Sequence, residues 1–380
     1  MQNLKNNKKI ALVLGGGGLK GFAHIGVLQA LEERGIVPEV LAGTSIGSLI
    51  CAAKAGGMDT EEMAERARSL KRKDLFRLNR IAMVLERTKA PSVYQAAPLR
   101  QLCESVLRDV TFEELGANLL VNTVDLQRGS PVVWGLPGLR DVSVIDAVYA
   151  SCALPGFYPP GDVGGRTCVD GGVVDNLPTS VASQGMDVVI AVDTGSSYLA
   201  RRENIARHGF TAIYMRAATT MMHALQLHPL ERWSGPPMLL IRPRVTHIGW
   251  FSFSQADELI DAGYKAAVEV LDQLDTITAV SGIFPRREIR ISVDQEKCIG
   301  CTLCVALAPE IMEMDAKGKA FARTPVVNWS PADGDFVHHC PTYAINAAGV
   351  DDRPQEADDN QLEGLDAKTE QEEVERRETA

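Results

Sequence analysis

A mainly parallel α/β sheet with a small cysteine-bearing appendage is the fold the sequence predicts, on three observations. Short apolar runs rich in β-branched residues alternate with segments whose apolar residues recur at helical spacing. Glycine-rich turns join the first of those runs to the helices that follow. The 380 residues, 45% of them hydrophobic, suit one α/β domain of ordinary size plus a smaller one.

Lys9 to Leu14 is the first run. After its glycines, the segment from Gly21 to Arg34 places Phe22, Ile25, Leu28 and Leu31 on one helical face before Gly35. Val40-Leu41-Ala42 leads into a turn at Ser45, and the apolar helix Ile46 to Ala55 stops at Gly56-Gly57. Leu119 to Val124, Asp187 to Asp193 and Met238 to Arg242 read as buried strands, which puts helices on both faces of the sheet. Ser69 to Pro98, with its many cations, and Ile205 to Trp233, with its Met and His residues, read as helical or loop coverings near the sheet's upper edge. Ala256, Leu259, Ile260, Gly263, Ala267, Val270, Leu271 and Leu274 form the stripe of a closing amphipathic helix. Ser281-Gly282-Ile283-Phe284-Pro285 reads as a linker, and Glu288 to Val293 opens the cysteine module. From Asp351 acidic residues crowd together and aromatic residues vanish, a composition expected to be disordered. Three units follow: residues 1–284, 285–350 and an acidic tail, 351–380.

A net charge of −10 argues against nucleic acid as a partner, since phosphate-backbone binding needs clustered Lys and Arg. No run approaches the roughly 20 apolar residues of a membrane span, and Ile10 to Leu14 is too short for a signal segment. A cytoplasmic location is expected. Of eight cysteines, Cys51, Cys103, Cys152 and Cys168 are scattered among small or apolar neighbours and read as buried hydrophobes.

A serine hydroxyl is a weak nucleophile; it needs projection into a cleft, a base and donors for the oxyanion. Gly43-Thr44-Ser45-Ile46-Gly47, between a strand and a helix, meets the first need: its glycines permit a sharp turn and the helix aims its positive end at Ser45. Gly16, Gly17 and Gly18 lack side chains, so their N–H groups can approach a reacting carbonyl, each such donor being worth about 10²–10³ in rate. Lys20 either holds this loop or meets a phosphate, or is merely solvated at a helix start. Gly16, Gly18 and Gly21 also satisfy the dinucleotide pattern Gly-x-Gly-x-x-Gly, but Glu39 precedes the second strand where the pattern's acid should follow it. Among seven histidines, His24 has apolar neighbours and reads as packed, while His208, His223, His228 and His247 lack any motif. Asp170, followed by Gly171-Gly172, sits on an open turn where a carboxylate could take the serine proton directly if burial raises its basicity.

Residues 10–57 and 145–193, notably Gly-Gly-Gly-Leu-Lys-Gly-Phe-Ala-His, Ala-Gly-Thr-Ser-Ile-Gly, Ala-Ser-Cys-Ala-Leu-Pro-Gly and Asp-Gly-Gly-Val-Val-Asp-Asn-Leu-Pro, resemble a bacterial patatin-like phospholipase of the branch related to neuropathy target esterase. The resemblance covers roughly the first 280 residues. It implies a three-layer α/β/α fold, a Ser45–Asp170 dyad, an oxyanion hole at Gly16 to Gly18, and phospholipids, lysophospholipids or related acyl esters as substrates. Gly21, Gly43, Gly47, Gly171 and Gly172 support these motifs. Asp-Gly-Gly stands where many members have Asp-Gly-Ala.

Cys298-x2-Cys301-x2-Cys304, with a remote Cys340-Pro341, is a four-thiolate pattern that favours a [4Fe-4S] cluster over zinc, whose sites usually come as two separate Cys-x2-Cys knuckles. Residues 287–350 resemble a single-cluster bacterial-type ferredoxin, and Ala308, where a second cluster's ligand would stand, implies one cluster. A ferredoxin-like α+β fold is expected there. Hydrolysis moves no electrons, so sensing, electron transfer to a redox partner protein and structural bracing all stay open for the cluster. The function expected is a lipid acyl hydrolase touching the inner membrane surface peripherally; the rival is a redox-responsive adaptor or electron carrier without turnover.

Overall fold

The structure, a computed structural model, describes residues 8–79, 92–194, 232–245, 247–274, 282–330, 336–337 and 339–349, with Asp333 and a few positions between 213 and 230. Strand β1 (Ile10–Leu14) is apolar and wholly buried, as a strand covered on both faces must be. It pairs in parallel with β2 (Val40–Thr44) on one side and β7 (Val188–Val192) on the other. The parallel run continues from β2 to β3 (Leu119–Asp125) and from β7 through β8 (Met238–Ile241) to β9 (Ile283–Phe284).

Alternation along each strand divides the core. Leu12, Leu14, Ile190 and Val192 pack on the face covered by α1 (Ala23–Glu33), α2 (Ile46–Ala55) and α6 (Ala256–Leu271), as the stripe on α6 predicted. Ala11, Val13, Val189 and Ala191 pack on the other face with Leu177, Ala182 and Met238. Helices α3 (Thr60–Ser69), α4 (Ala96–Val106) and α5 (Val144–Cys152) add to the first layer.

An antiparallel flank extends the sheet: β4 (Ser130–Trp134) and β6 (Arg166–Asp170) both pair with β3, and β5 (Gly161–Val163) pairs with β6. Its register is what assembles the site. Asn122 stands opposite Thr44, the last residue before Ser45, and the next residue, Thr123, stands opposite Asp170. Two positions 125 residues apart in sequence, Ser45 and Asp170, are therefore brought together beside the middle of β3.

Ile283–Phe284, expected as linker, instead pairs with Met238 and Leu239, because an apolar Ile283, 2% exposed, gains more as an edge strand than in solvent. Within Ser69 to Pro98, Arg72–Leu75 is one helical turn and Pro98 lies inside α4; residues 80–91 fall outside the described residues. So do most of Ile205 to Trp233 and all of the acidic tail from 351.

Arg287–Val293 (β10) belongs to a separate three-stranded antiparallel sheet, flanked by β13 (Val326–Trp329) and β14 (Ile345–Gly349), with a hairpin of β11 (Met312–Met314) and β12 (Ala320–Ala322) beside it. Its core is its own: Ile289, Ile291, Met312, Phe336 and Ile345 pack with Cys298 and Cys304.

Candidate active site and cysteine-bearing site

Ser45 has φ 54° and ψ −130°, a left-handed conformation that costs a non-glycine residue about 1–3 kcal/mol and persists only when its surroundings hold it. They do. Its N–H donates to Ser151 Oγ at 2.9 Å, Ser151 in turn donates to Asn122 O at 2.7 Å, and Ser48 Oγ donates to Ser45 O at 2.6 Å. The turn closes because Gly47 passes under the end of β1: a Cβ there would lie 2.1 Å from Leu14 O. Gly43, Gly21 and Gly171 are likewise pressed against Gly47, Ile46 and Asn122.

Asp170 is 3% exposed, its Oδ1 accepts from Gly172 N at 2.8 Å, and the Ser45 hydroxyl lies beside the same carboxyl. Desolvation outweighs the Gly172 and Ser45 contributions and pushes its pKa up to about 6, a poise that would suit a general base near neutral pH. The Cys152 thiol is kept protonated by desolvation, which the neighbouring Ser48 and Ser45 hydroxyls only partly oppose. His24, packed as its apolar neighbours predicted, is fully buried, Nε2 donates to Gly15 O at 2.8 Å, and desolvation lowers its pKa to about 4. His247 pairs with Glu258 at the surface, His339 lies in the cysteine module, and His208, His223, His228 and His338 fall outside the described residues.

The glycine loop runs past Ser45 with its missing side chains' places taken. A Cβ on Gly16, Gly17 or Gly18 would lie 2.6 Å from Asn176 Oδ1, Thr194 Oγ1 or Trp250 O respectively. Gly16 N–H points to Asn176 Oδ1, 3.2 Å away, so the loop amides with no hydrogen-bond partner among the described residues are those of Gly17 and Gly18. Lys20 is 5% exposed and partnered within the protein, which removes its solvated reading. Asn176, Ser151 and Asn122 were not singled out as site residues from sequence, although the first two lie inside the quoted motifs.

From Ser45 and Asp170 a cavity of about 150 Å³ extends between helices. Ile46, Leu49, Ile50 and Ala53 line it at the i, i+3, i+4, i+7 spacing of one face of α2, opposite Met63 and Ala67 of α3 and Leu99, Leu102 and Val106 of α4. Phe76, Phe157 and Phe251 also line it, with centroids of Phe76 and Phe157 at 5.1 and 5.9 Å from that of Phe251. Asp170 and Arg66 are the only charged lining residues among those described, and Arg66 is bonded to Glu62 and to Ser105 O.

In the small domain, Cys298 and Cys304 are buried, Cys340 half-buried and Cys301 exposed, flanked by positive φ at Gly300 and Thr302. Cys298, Cys304 and Cys340 share one small core and Cys301 stands exposed beside it; among the described residues no three or more His, Cys, Asp or Glu side chains gather closely enough to hold a metal ion. The donor chemistry nevertheless suits thiolates: Ala320 N–H points to Cys298 Sγ at 3.4 Å and Ala344 N–H to Cys340 Sγ at 3.3 Å. Desolvation raises the Cys304 pKa; at Cys340 it is opposed by N–H bonds from Ala344 and Thr342, and the net shift is downward.

Residues 12–183 match the patatin-like phospholipase family, and residues 291–347 match the 4Fe-4S single cluster domain. Over 292 residues the chain is 30% identical to lysophospholipase NTE1 of Coccidioides immitis, an alignment covering 70% of this chain and 18% of that protein. It is 36% identical over 191 residues to human patatin-like phospholipase domain-containing protein 6 (49% and 13% covered). It is 34% identical over 193 residues to an uncharacterized NTE family protein of Mycobacterium tuberculosis (50% and 51%). The matched region thus spans about half of the mycobacterial relative and under a fifth of the other two.

Proposed function

From a chain that joins a patatin-like phospholipase domain to a 4Fe-4S single cluster domain, we propose a serine lipid acyl hydrolase acting through Ser45, Asp170 and an acyl-enzyme. One observation carries the reading: a serine at a left-handed turn stands beside a buried carboxyl, and both open onto a cavity walled by aliphatic and aromatic side chains. Ser45 Oγ attacks the ester carbonyl as its proton passes to Asp170. The developing oxyanion is met by the Gly17 and Gly18 amides and by the positive end of α2, which begins at the nucleophile. Asp170 returns the proton to the departing alcohol oxygen, then takes one from the water that attacks the acyl-enzyme and passes it to Ser45 Oγ as the bond from the acyl carbon to Oγ breaks and fatty acid leaves.

The apolar cavity takes the acyl chain. Substrates are phospholipids, lysophospholipids and related acyl esters, reached by peripheral contact with a membrane; no described helix is long and apolar enough to cross one. Residues 1–284 form the hydrolase and 285–350 the cluster unit, where Cys298, Cys301, Cys304 and Cys340 would hold one [4Fe-4S] cluster. Such a cluster supplies one-electron transfer, which ester hydrolysis does not use; it serves redox sensing or the docking of a redox partner.

The test is fatty-acid release from mixed phospholipids and lysophospholipids by anaerobically purified protein, wild type beside Ser45→Ala, oxidised and then reduced. Release that requires Ser45 is the expected result, and a change on reduction makes the cluster its regulator. No Ser45-dependent release in either redox state replaces the reading with that of a redox-responsive adaptor.

A further inference from the structure

We propose that Asn176 is the positioning residue of the oxyanion loop: by occupying both polar groups of Gly16 it leaves Gly17 and Gly18 to receive the oxyanion. The proposal rests on the hydrolase reading. Asn176 is 1% exposed, and its carboxamide meets Gly16 as a neighbouring strand would, Oδ1 accepting from Gly16 N and Nδ2 donating to Gly16 O, each at 3.2 Å. A reversed amide would set donor against donor, so this pairing also fixes which end is oxygen.

Gly16 is thereby wedged between two side chains. A Cβ on it would lie 2.6 Å from Asn176 Oδ1 and 3.1 Å from Ser45 Cβ, so the loop cannot approach the nucleophile more closely or recede from it without breaking the pair. The clamp is itself anchored to the nucleophile strand. The carbonyl of Asp175, one residue before Asn176, accepts from Asn122 Nδ2 at 2.6 Å and from the Thr44 hydroxyl at 3.3 Å. Leu177 N–H, one residue after, donates to Asp175 Oδ1 at 3.0 Å. These bonds together tie the loop after β1, the end of β2 and the segment that follows Asp170. A misplacement of about 1 Å can cost on the order of 10²-fold in rate, which is the scale at which such a clamp matters.

The experiment compares wild type, Ser45→Ala, Asn176→Ala and the near-isosteric Asn176→Asp on p-nitrophenyl octanoate, with the rate of Ser45 labelling by a fluorophosphonate and thermal unfolding as second and third readouts. Asn176→Ala is expected to lose about 10² in kcat with KM within about twofold, and to be labelled correspondingly more slowly, because the phosphoryl oxygen uses the same amides. Asn176→Asp keeps the acceptor for Gly16 N–H but sets an oxygen against Gly16 O, and should lose at least about tenfold in kcat while remaining folded. Wild-type kcat and labelling rate in Asn176→Asp, or in a folded Asn176→Ala, overturn the proposal and leave the hydrolase reading standing. Wild type that neither turns over nor labels at Ser45 fails earlier, on the hydrolase reading, and takes this proposal with it.

Discussion

The turn at Ser45 and the loop at Cys298 are both sharp, both contain a residue at positive φ, and both present reactive side chains, yet they are held in different ways. At Ser45 the chain holds its own geometry: the backbone N–H and O, the carboxyl partner and the neighbouring glycine amide each have a named protein partner. At Cys298 to Cys340 the sulfurs range from buried to exposed, and the hydrogen bonds shown reaching them come to Cys298 and Cys340. The difference follows from the chemistry. An oxyanion exists only transiently, so its donors must be fixed beforehand, whereas thiolate ligands are ordered by the bonds they make to a metal. Variants at the first site should therefore change rate steeply, and variants at the second should barely touch it.

The steepest is Asp170→Asn, expected to lower kcat about 10⁴-fold, as loss of a correctly oriented proton acceptor does elsewhere. Wild-type kcat/KM should fall below an acid limb near pH 6, where Asp170 takes up its proton. Stability should move the other way. Because the folded pKa is raised, the folded state binds a proton that the unfolded state releases between about pH 4 and 6, so stability falls as pH rises through that window. Above it the buried carboxylate costs up to about 3 kcal/mol, from roughly two pK units at 1.36 kcal/mol each. The asparagine variant should consequently unfold at a higher temperature than wild type at pH 8 and lose that advantage at pH 4. Unchanged melting at pH 8 would mean that Asp170 is not desolvated, and turnover near the wild-type level that another base serves Ser45.

Next comes Ser151→Ala, which strips the acceptor from the strained Ser45 N–H and leaves it buried and unpaired. A penalty of about 1–3 kcal/mol corresponds to roughly tenfold to a hundredfold if it falls on the transition state, read as kcat with KM nearly unchanged. Loss of stability alone, with wild-type kcat, would show that the turn keeps its shape without this bond. Smaller still is Ala53→Phe, eight residues along α2 from Ser45, or about 12 Å at 1.5 Å per residue. Overfilling the cavity there should cost about tenfold against long acyl esters and little against short ones, and equal losses for both would place the acyl chain elsewhere.

How much of this was legible beforehand depended on the range of the interaction. The strand, turn and helix around Ser45 are written in consecutive residues, and β1, β2, β7, β8 and α2 fall within a residue or two of where the apolar pattern put them. Asp170 was readable from the turn after it. The antiparallel flank that delivers it was not, since the pairing of Thr123 with Asp170 is a register between distant strands with no local pattern. Asn176 and Ser151 lay in plain view within motifs, but their partners, Gly16 and the Ser45 amide, are 160 and 106 residues away. The partner that Gly16 N–H finds in Asn176 was hidden for the same reason. Nothing local says that a side chain 160 residues along the chain claims its N–H.

The smallest expected effect on hydrolysis is the most informative about the comparison. Cys340→Ala removes the sulfur that Ala344 N–H and the Thr342 hydroxyl address, and should bleach the broad visible absorption of an iron-sulfur cluster and lower iron per chain. The large sheet ends at Phe284 and the small one begins at Arg287, each over its own core, so a change in one core should leave the other's energetics additive to within about 0.5 kcal/mol. That is about twofold in kcat. Retention of the full visible spectrum would remove Cys340 from the ligand set. Loss of both spectrum and hydrolysis would mean that the two chemistries are coupled, and redox state would then have a route to Ser45.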